Sequence, residues 1–108
     1  MSYISAHVLD AGAGKPAAGI EVRLSAGDGR QVAFAVTDAD GRVSDLGPEL
    51  LAPGDYTVSF ATGSYFASHG QAGFYPRVDV RFTVSGGEPH YHIPLLLGPF
   101  AYTTYRGS

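Results

Sequence analysis

Three polar side chains of this sequence sit where alternating apolar neighbours leave them no place in a core. His90-Tyr91-His92-Ile93-Pro94-Leu95-Leu96-Leu97 reads as a strand. Side chains on a strand alternate between its two faces. His90 and His92 therefore share one face, and Tyr91, Ile93, Leu95 and Leu97 share the other. Near the start, Ile4, Ala6 and Val8 form a small apolar, core-facing set, which leaves Tyr3, Ser5, His7 and Leu9 on the opposite face. Arg42 follows the turn Thr37-Asp38-Ala39-Asp40-Gly41 and points away from Val43. His7, Arg42 and His92 thus face outward, onto one sheet surface if their strands are neighbours. An imidazole titrates near neutrality and can exchange protons with water, and a guanidinium can hold an anion. A histidine in such a place is more often solvent-facing or at an interface, so each gains weight only from the others. A second polar set, Tyr105-Arg106-Gly107-Ser108, ends the sequence with a cation and a hydroxyl.

Other patterns are weaker. His90-x-His92 could chelate a metal from one strand face with His7 completing the set, and adventitious zinc would suit it. One functional histidine beside a surface neighbour accounts for the pair better, and no metal is expected. Asp38-x-Asp40-Gly41 lacks the rest of a calcium loop, and Gly12-x-Gly14-Lys15 has Pro16 where a phosphate loop needs Ser or Thr. His69 has no evident partner and is expected to be exposed. There is no cysteine and no Gly-x-Ser-x-Gly elbow, so neither a thiol nucleophile nor a hydrolase serine is on offer.

The elements that would position these residues are short strands. Ile20, Val22 and Leu24 alternate with polar residues, Asp28-Gly29 reads as a hairpin turn, and residues 31–37 return. Residues 10–15 form a Gly- and Ala-rich loop before Pro16, and Pro53-Gly54-Asp55 leads into another strand at 56–60. Alternation lapses over 62–70, where Tyr65, Phe66 and His69 fall near helical spacing, so a short helix is expected there. Val78, Val80, Phe82 and Val84 give the clearest amphipathic strand, and Gly86-Gly87 turns it back. The fold class is all-β, an antiparallel sandwich of about eight strands with one short helix, in a single domain over 1–108.

Composition closes off several classes. Net charge is −3 with a single lysine, which argues against a nucleic-acid partner. Hydrophobic residues at 44% and charged residues at 16% mark a globular chain with much neutral surface, favourable to oligomer contacts. No apolar run reaches membrane-spanning length, and the first residues lack the pattern of a signal peptide. No membrane partner and a cytoplasmic location are expected.

The run HYHIPLLLGP followed by YTTYRGS resembles the C-terminal signature of the 5-hydroxyisourate hydrolases, also called transthyretin-related proteins. The resemblance covers nearly the whole chain. Gly98 stands where that family usually has Ser before the proline. The resemblance implies a transthyretin-like sandwich that hydrolyses 5-hydroxyisourate, in urate breakdown, without a cofactor. It implies catalytic roles for His7, in a His-Val-Leu-Asp context, for Arg42 after Asp-Gly, and for His92 before Ile-Pro-Leu-Leu-Leu. It implies substrate binding by Tyr105, Arg106 and Ser108, and a homotetramer, a dimer of dimers with sites between subunits. Which histidine would be the base stays open. Residues 16–60 also resemble the wider group of transthyretin-like modules, so the alternative is a non-catalytic carrier or structural sandwich. The terminal Tyr-Arg-Gly-Ser distinguishes the enzymes from transthyretin, the hormone carrier of the same fold.

Overall fold

The computed structural model describes residues 2–107, so Ser108, one of the expected substrate contacts, lies outside the described residues. Nine strands and one helix follow in chain order: β1 Ile4–Asp10, β2 Lys15–Pro16, β3 Glu21–Ala26, β4 Gln31–Val36, β5 Arg42–Val43, β6 Gly54–Phe60, α1 Thr62–Ser68, β7 Val78–Val84, β8 Tyr91–Leu97 and β9 Tyr102–Thr104. They form two sheets. One runs β2-β1-β8-β9, with β5 also paired to β1, and the other runs β4-β3-β6-β7. Every pair is antiparallel except β1 with β8, which run parallel with Ile4 opposite Tyr91 through Asp10 opposite Leu97. Alternation alone does not carry strand direction, so this one parallel pair inside an otherwise antiparallel sandwich is invisible in the sequence.

The core lies between the sheets. Ile4, Ala6 and Val8 of β1 and Tyr91, Ile93, Leu95 and Leu97 of β8 face Val22, Leu24, Val58 and Phe60 of the second sheet. Each Val, Leu, Ile or Phe side chain among them contributes about 1.5–3 kcal/mol by leaving water, and a one-residue slip of β1 or β8 would exchange its core and outer faces. That register holds the polar face as firmly as the apolar one. The residue before β1 departs from the alternation: Tyr3 is buried, edge-on to Tyr91, and its hydroxyl donates to the carbonyl of Glu88 (2.6 Å). Lys15 and Pro16, expected to be loop, pair briefly with β1 opposite Asp10 and Leu9.

Helix α1 falls where alternation lapses. It buries Thr62, Tyr65 and Phe66, and the Tyr65 hydroxyl donates to Oδ2 of the buried Asp10 (2.8 Å), tying the helix to the end of β1. Burial, and then that carboxylate, pushes the phenol up to about 12. His69 is exposed as expected. It has a partner all the same: its Nδ1 lies 2.8 Å from the Tyr65 carbonyl and its ring stacks on Tyr65.

Candidate active site

Strand pairing brings the three outward residues together. His7 on β1 lies opposite Arg42 on β5, and Ser5, two residues earlier on the same face, lies opposite His92 on β8. The turn before Arg42 explains its placement. The Asp38 carboxylate accepts from the backbone N–H of Asp40 (2.9 Å) and of Arg42 (3.0 Å). Gly41 takes a positive φ of 74°, and any side chain there would run into the Val8 carbonyl oxygen. The Val8 N–H donates to the Gly41 carbonyl (2.8 Å), which staples the turn to β1 and delivers Arg42 beside His7. His7 is half-buried, and its Nε2 lies 2.9 Å from the Asp40 carbonyl. A carbonyl can only accept, so this nitrogen carries the hydrogen, and Nδ1 is the nitrogen of neutral His7 free to take a proton.

His92 is half-buried, with its Nδ1 2.7 Å from the Ser5 hydroxyl. The same hydroxyl lies 2.8 Å from Nε2 of His90. Ser5, Arg42, Ser44, His90 and His92 line an open cleft of about 240 Å³. The His92 pKa is lowered, first by burial and then by electrostatic coupling to His7, His90 and Arg42. Taking a cation out of water costs more than taking a neutral ring, so His92 is held neutral, as a general base requires. Beyond it the chain end packs close. Gly107 bridges to His92 across the sheet, its N–H donating to the His92 carbonyl (3.0 Å). A Cβ at Gly107 would stand only 2.5 Å from the His92 ring carbon Cδ2, so the imidazole occupies the space that glycine leaves.

The terminal motif is split by this geometry. The β8–β9 ladder runs from Leu97 opposite Tyr102 to Leu95 opposite Thr104, lapses beside Pro94, which has no N–H to donate, and resumes only at Gly107. Tyr105 and Arg106 leave the ladder in that gap. They border a second cavity, of about 250 Å³, between β7 and the β8–β9 pair, which Phe82, Tyr91 and Ile93 also line. The Arg106 guanidinium lies over the Tyr91 ring at 5.2 Å and pairs with Glu88 at 2.9 Å. Tyr91 faces the core, so Arg106 is on the other side of the sheet from the Ser5–His92 contact. His92 borders both cavities. The structure thus groups His7, Arg42 and His92 and sets Tyr105 and Arg106 apart from them. At Gly98 the N–H donates to the Ala101 carbonyl (2.8 Å), closing the turn into β9.

Among the described residues, no three His, Cys, Asp or Glu side chains are grouped to hold a metal ion. The ring nitrogens of His90 and His92 converge on Ser5 instead. Ser5, Ser44 and Glu88 are residues that sequence reasoning passed over, and it read His90 only as a surface neighbour of His92. Ser5 shares the face of His7 in sequence, but its place between two histidines depends on the β1–β8 pairing. Glu88 was not findable, since its tie to Arg106 is between loop and chain end.

Comparison with known proteins places the chain in a family. The HIUase/Transthyretin family matches residues 4–107. The 5-hydroxyisourate hydrolase of Salmonella dublin is 47% identical over 99% of this chain and 82% of its own. The 5-hydroxyisourate hydrolase structure from Klebsiella pneumoniae superposes with a TM-score of 0.91 at 37% identity, covering 99% of this chain and all of that one. Sea bream transthyretin in complex with thyroxine reaches a TM-score of 0.90 at 35% identity, over 97% of this chain and 94% of that one. With a sandwich of this topology and a family match spanning all but its outermost residues, the chain belongs to the HIUase/Transthyretin family.

Proposed function

We propose that the protein is a hydrolase of 5-hydroxyisourate, and that His92 is the base activating water at the β1–β8 face. The observation that carries the mechanism is a half-buried histidine kept neutral beside an arginine in an open cleft. The substrate is a cyclic amide. Nε2 of His92 takes a proton from water, and the oxygen adds to the amide carbonyl. Arg42 holds the oxyanion as it forms. The C–N bond then breaks and the ring nitrogen takes the proton, giving 2-oxo-4-hydroxy-4-carboxy-5-ureidoimidazoline. His7, pinned by its Nε2–H to the Asp40 carbonyl, orients the water or substrate through Nδ1. Tyr105 and Arg106, with Ser108, are read as substrate contacts on the strength of the family resemblance.

The same proposal includes a homotetramer. Strands β7 and β9 end their sheets on the same side of the sandwich, with no neighbour to pair them. Phe74 and Phe100 are 69% and 68% exposed, an apolar surface suited to a second copy. A partner over the outer sheet face would also exclude water from the cleft. No helix among the described residues is long and apolar enough to cross a membrane, and a cytoplasmic location is part of the proposal. The test is direct. Purified protein added to freshly generated 5-hydroxyisourate should remove it far faster than the spontaneous reaction does. Loss at the spontaneous rate would leave a carrier or structural module as the better reading.

A further inference from the structure

A serine hydroxyl has one hydrogen to give and two lone pairs. Ser5 Oγ has imidazole nitrogens on two sides, His90 Nε2 at 2.8 Å and His92 Nδ1 at 2.7 Å. Both distances are those of good hydrogen bonds, and the single hydroxyl hydrogen can serve only one of them. If it goes to His92 Nδ1, the neutral His92 ring carries its own hydrogen on Nε2 and has no lone pair to offer water. If it goes to His90 Nε2, Ser5 accepts from His92 Nδ1–H, and Nε2 of His92 keeps its lone pair. Nδ1 is occupied either way, so only Nε2 can act as a base.

We propose that Ser5 is a positioning residue of this site. Its hydroxyl donates to His90 and accepts from Nδ1–H of His92, which fixes His92 in the tautomer whose Nε2 lone pair meets the cleft. The inference rests on the reading of His92 as base. Ser5 suits the role because it is opposite His92 in the β1–β8 register, between the buried Ile4 and Ala6 that lock β1 to the core. Gly107 leaves room for the ring on its other side. The part that a carboxylate plays in a Ser-His-Asp triad, holding Nδ1–H so that Nε2 can work, falls here to a neutral hydroxyl backed by a second imidazole. The titratable and charged groups around His92 are His7 from β1, Arg42 from β5 and His90 from the segment before β8. Among the described residues of the C-terminal segment, Gly107 meets it through its backbone, and Arg106 pairs with Glu88.

The test pairs a spectroscopic readout with kinetics on the full chain. Nitrogen-15 NMR of the imidazoles, at a pH where His92 is neutral, should show His92 protonated on Nδ1 in the parent protein. Ser5→Ala and His90→Ala should both shift it toward protonation on Nε2. They should lower kcat for 5-hydroxyisourate by about 10²-fold, a modest share of the ~10⁴ that a wrong tautomer costs a serine protease. KM should stay within about twofold, since the loss is confined to the transition state. Ser5→Thr, which keeps the hydroxyl, should restore both readouts. A parent protein with His92 protonated on Nε2, or a folded Ser5→Ala with unchanged tautomer and kcat, would overturn the proposal. The NMR result needs no substrate, so it stands apart from the base assignment. Normal turnover by a folded His92→Ala would sink the assignment while the tautomer still decides the role of Ser5 as a hydrogen-bond partner.

Discussion

At the scale of single residues, the site depends on keeping one imidazole uncharged while two other histidines and an arginine surround it. Burial and electrostatic coupling to those neighbours lower the His92 pKa. An unperturbed histidine titrates near 6.5. A base with a depressed pKa stays competent below that value, so the acid limb of kcat/KM should have its midpoint under about 6.5. Replacing Arg42 by Met removes one of the charges that depress it, and the limb should move toward higher pH while the rate falls. The same shift acts on stability. The unfolded chain binds the His92 proton more readily than the native state, so the contribution is present above about pH 6.5 and lost as pH falls through the lower native value. A pH–rate profile of the parent and Arg42→Met checks both directions, and an acid limb above 6.5 in the parent would contradict the role given to burial.

At the scale of elements, the site is built from β1, the β5 turn and β8, and its rigidity is borrowed from the core faces of those strands. Helix α1 joins that support through the buried hydrogen bond from Tyr65 to Asp10, beside its core residue Phe66. Tyr65→Phe removes the donor and leaves a buried carboxylate oxygen short of a partner, a loss of about 1–3 kcal/mol. Thermal unfolding of this variant should move down by several degrees, whereas an unchanged Tm would mean that the contact contributes nothing. Much of this element-level picture was legible beforehand. The alternation in residues 4–10, 20–25, 78–84 and 91–97 identified the core face correctly, and therefore the outward His7 and His92, while Arg42 was read from the turn at 37–41. Three things were not legible. Tyr3 was assigned outward by its parity with Ser5, yet it precedes the strand, and its ring packs against Tyr91. Ser5 between two histidines depends on β1 and β8 being parallel neighbours in one register, which no local pattern encodes. The split of the terminal motif at Pro94 likewise required knowing what β8 pairs with.

At the scale of the whole molecule, the described residues leave an open cleft, the free edges of β7 and β9 and exposed aromatics, and the proposed homotetramer would cover all three. Sedimentation velocity should give a species near four times the chain mass of 11.3 kDa. Mixing inactive His7→Ala and His92→Ala subunits after reversible dissociation should recover no activity. His7 and His92 meet on the β1 and β8 strands of one chain, so a mixed assembly gains no intact pair. An active monomer would remove the assembly from the account, and recovered activity would mean that a site draws its two histidines from different chains. The central claim is that this outer face, and not the core or the fold alone, performs the hydrolysis. It is tested most directly by the initial rate of 5-hydroxyisourate loss for His92→Ala beside the parent, with circular dichroism and Tm recorded for both. The account predicts a fall of about 10²–10⁴-fold, the range typical of general acid–base groups, in a protein that melts within a few degrees of the parent. A folded His92→Ala that hydrolyses at the parent's rate would contradict it.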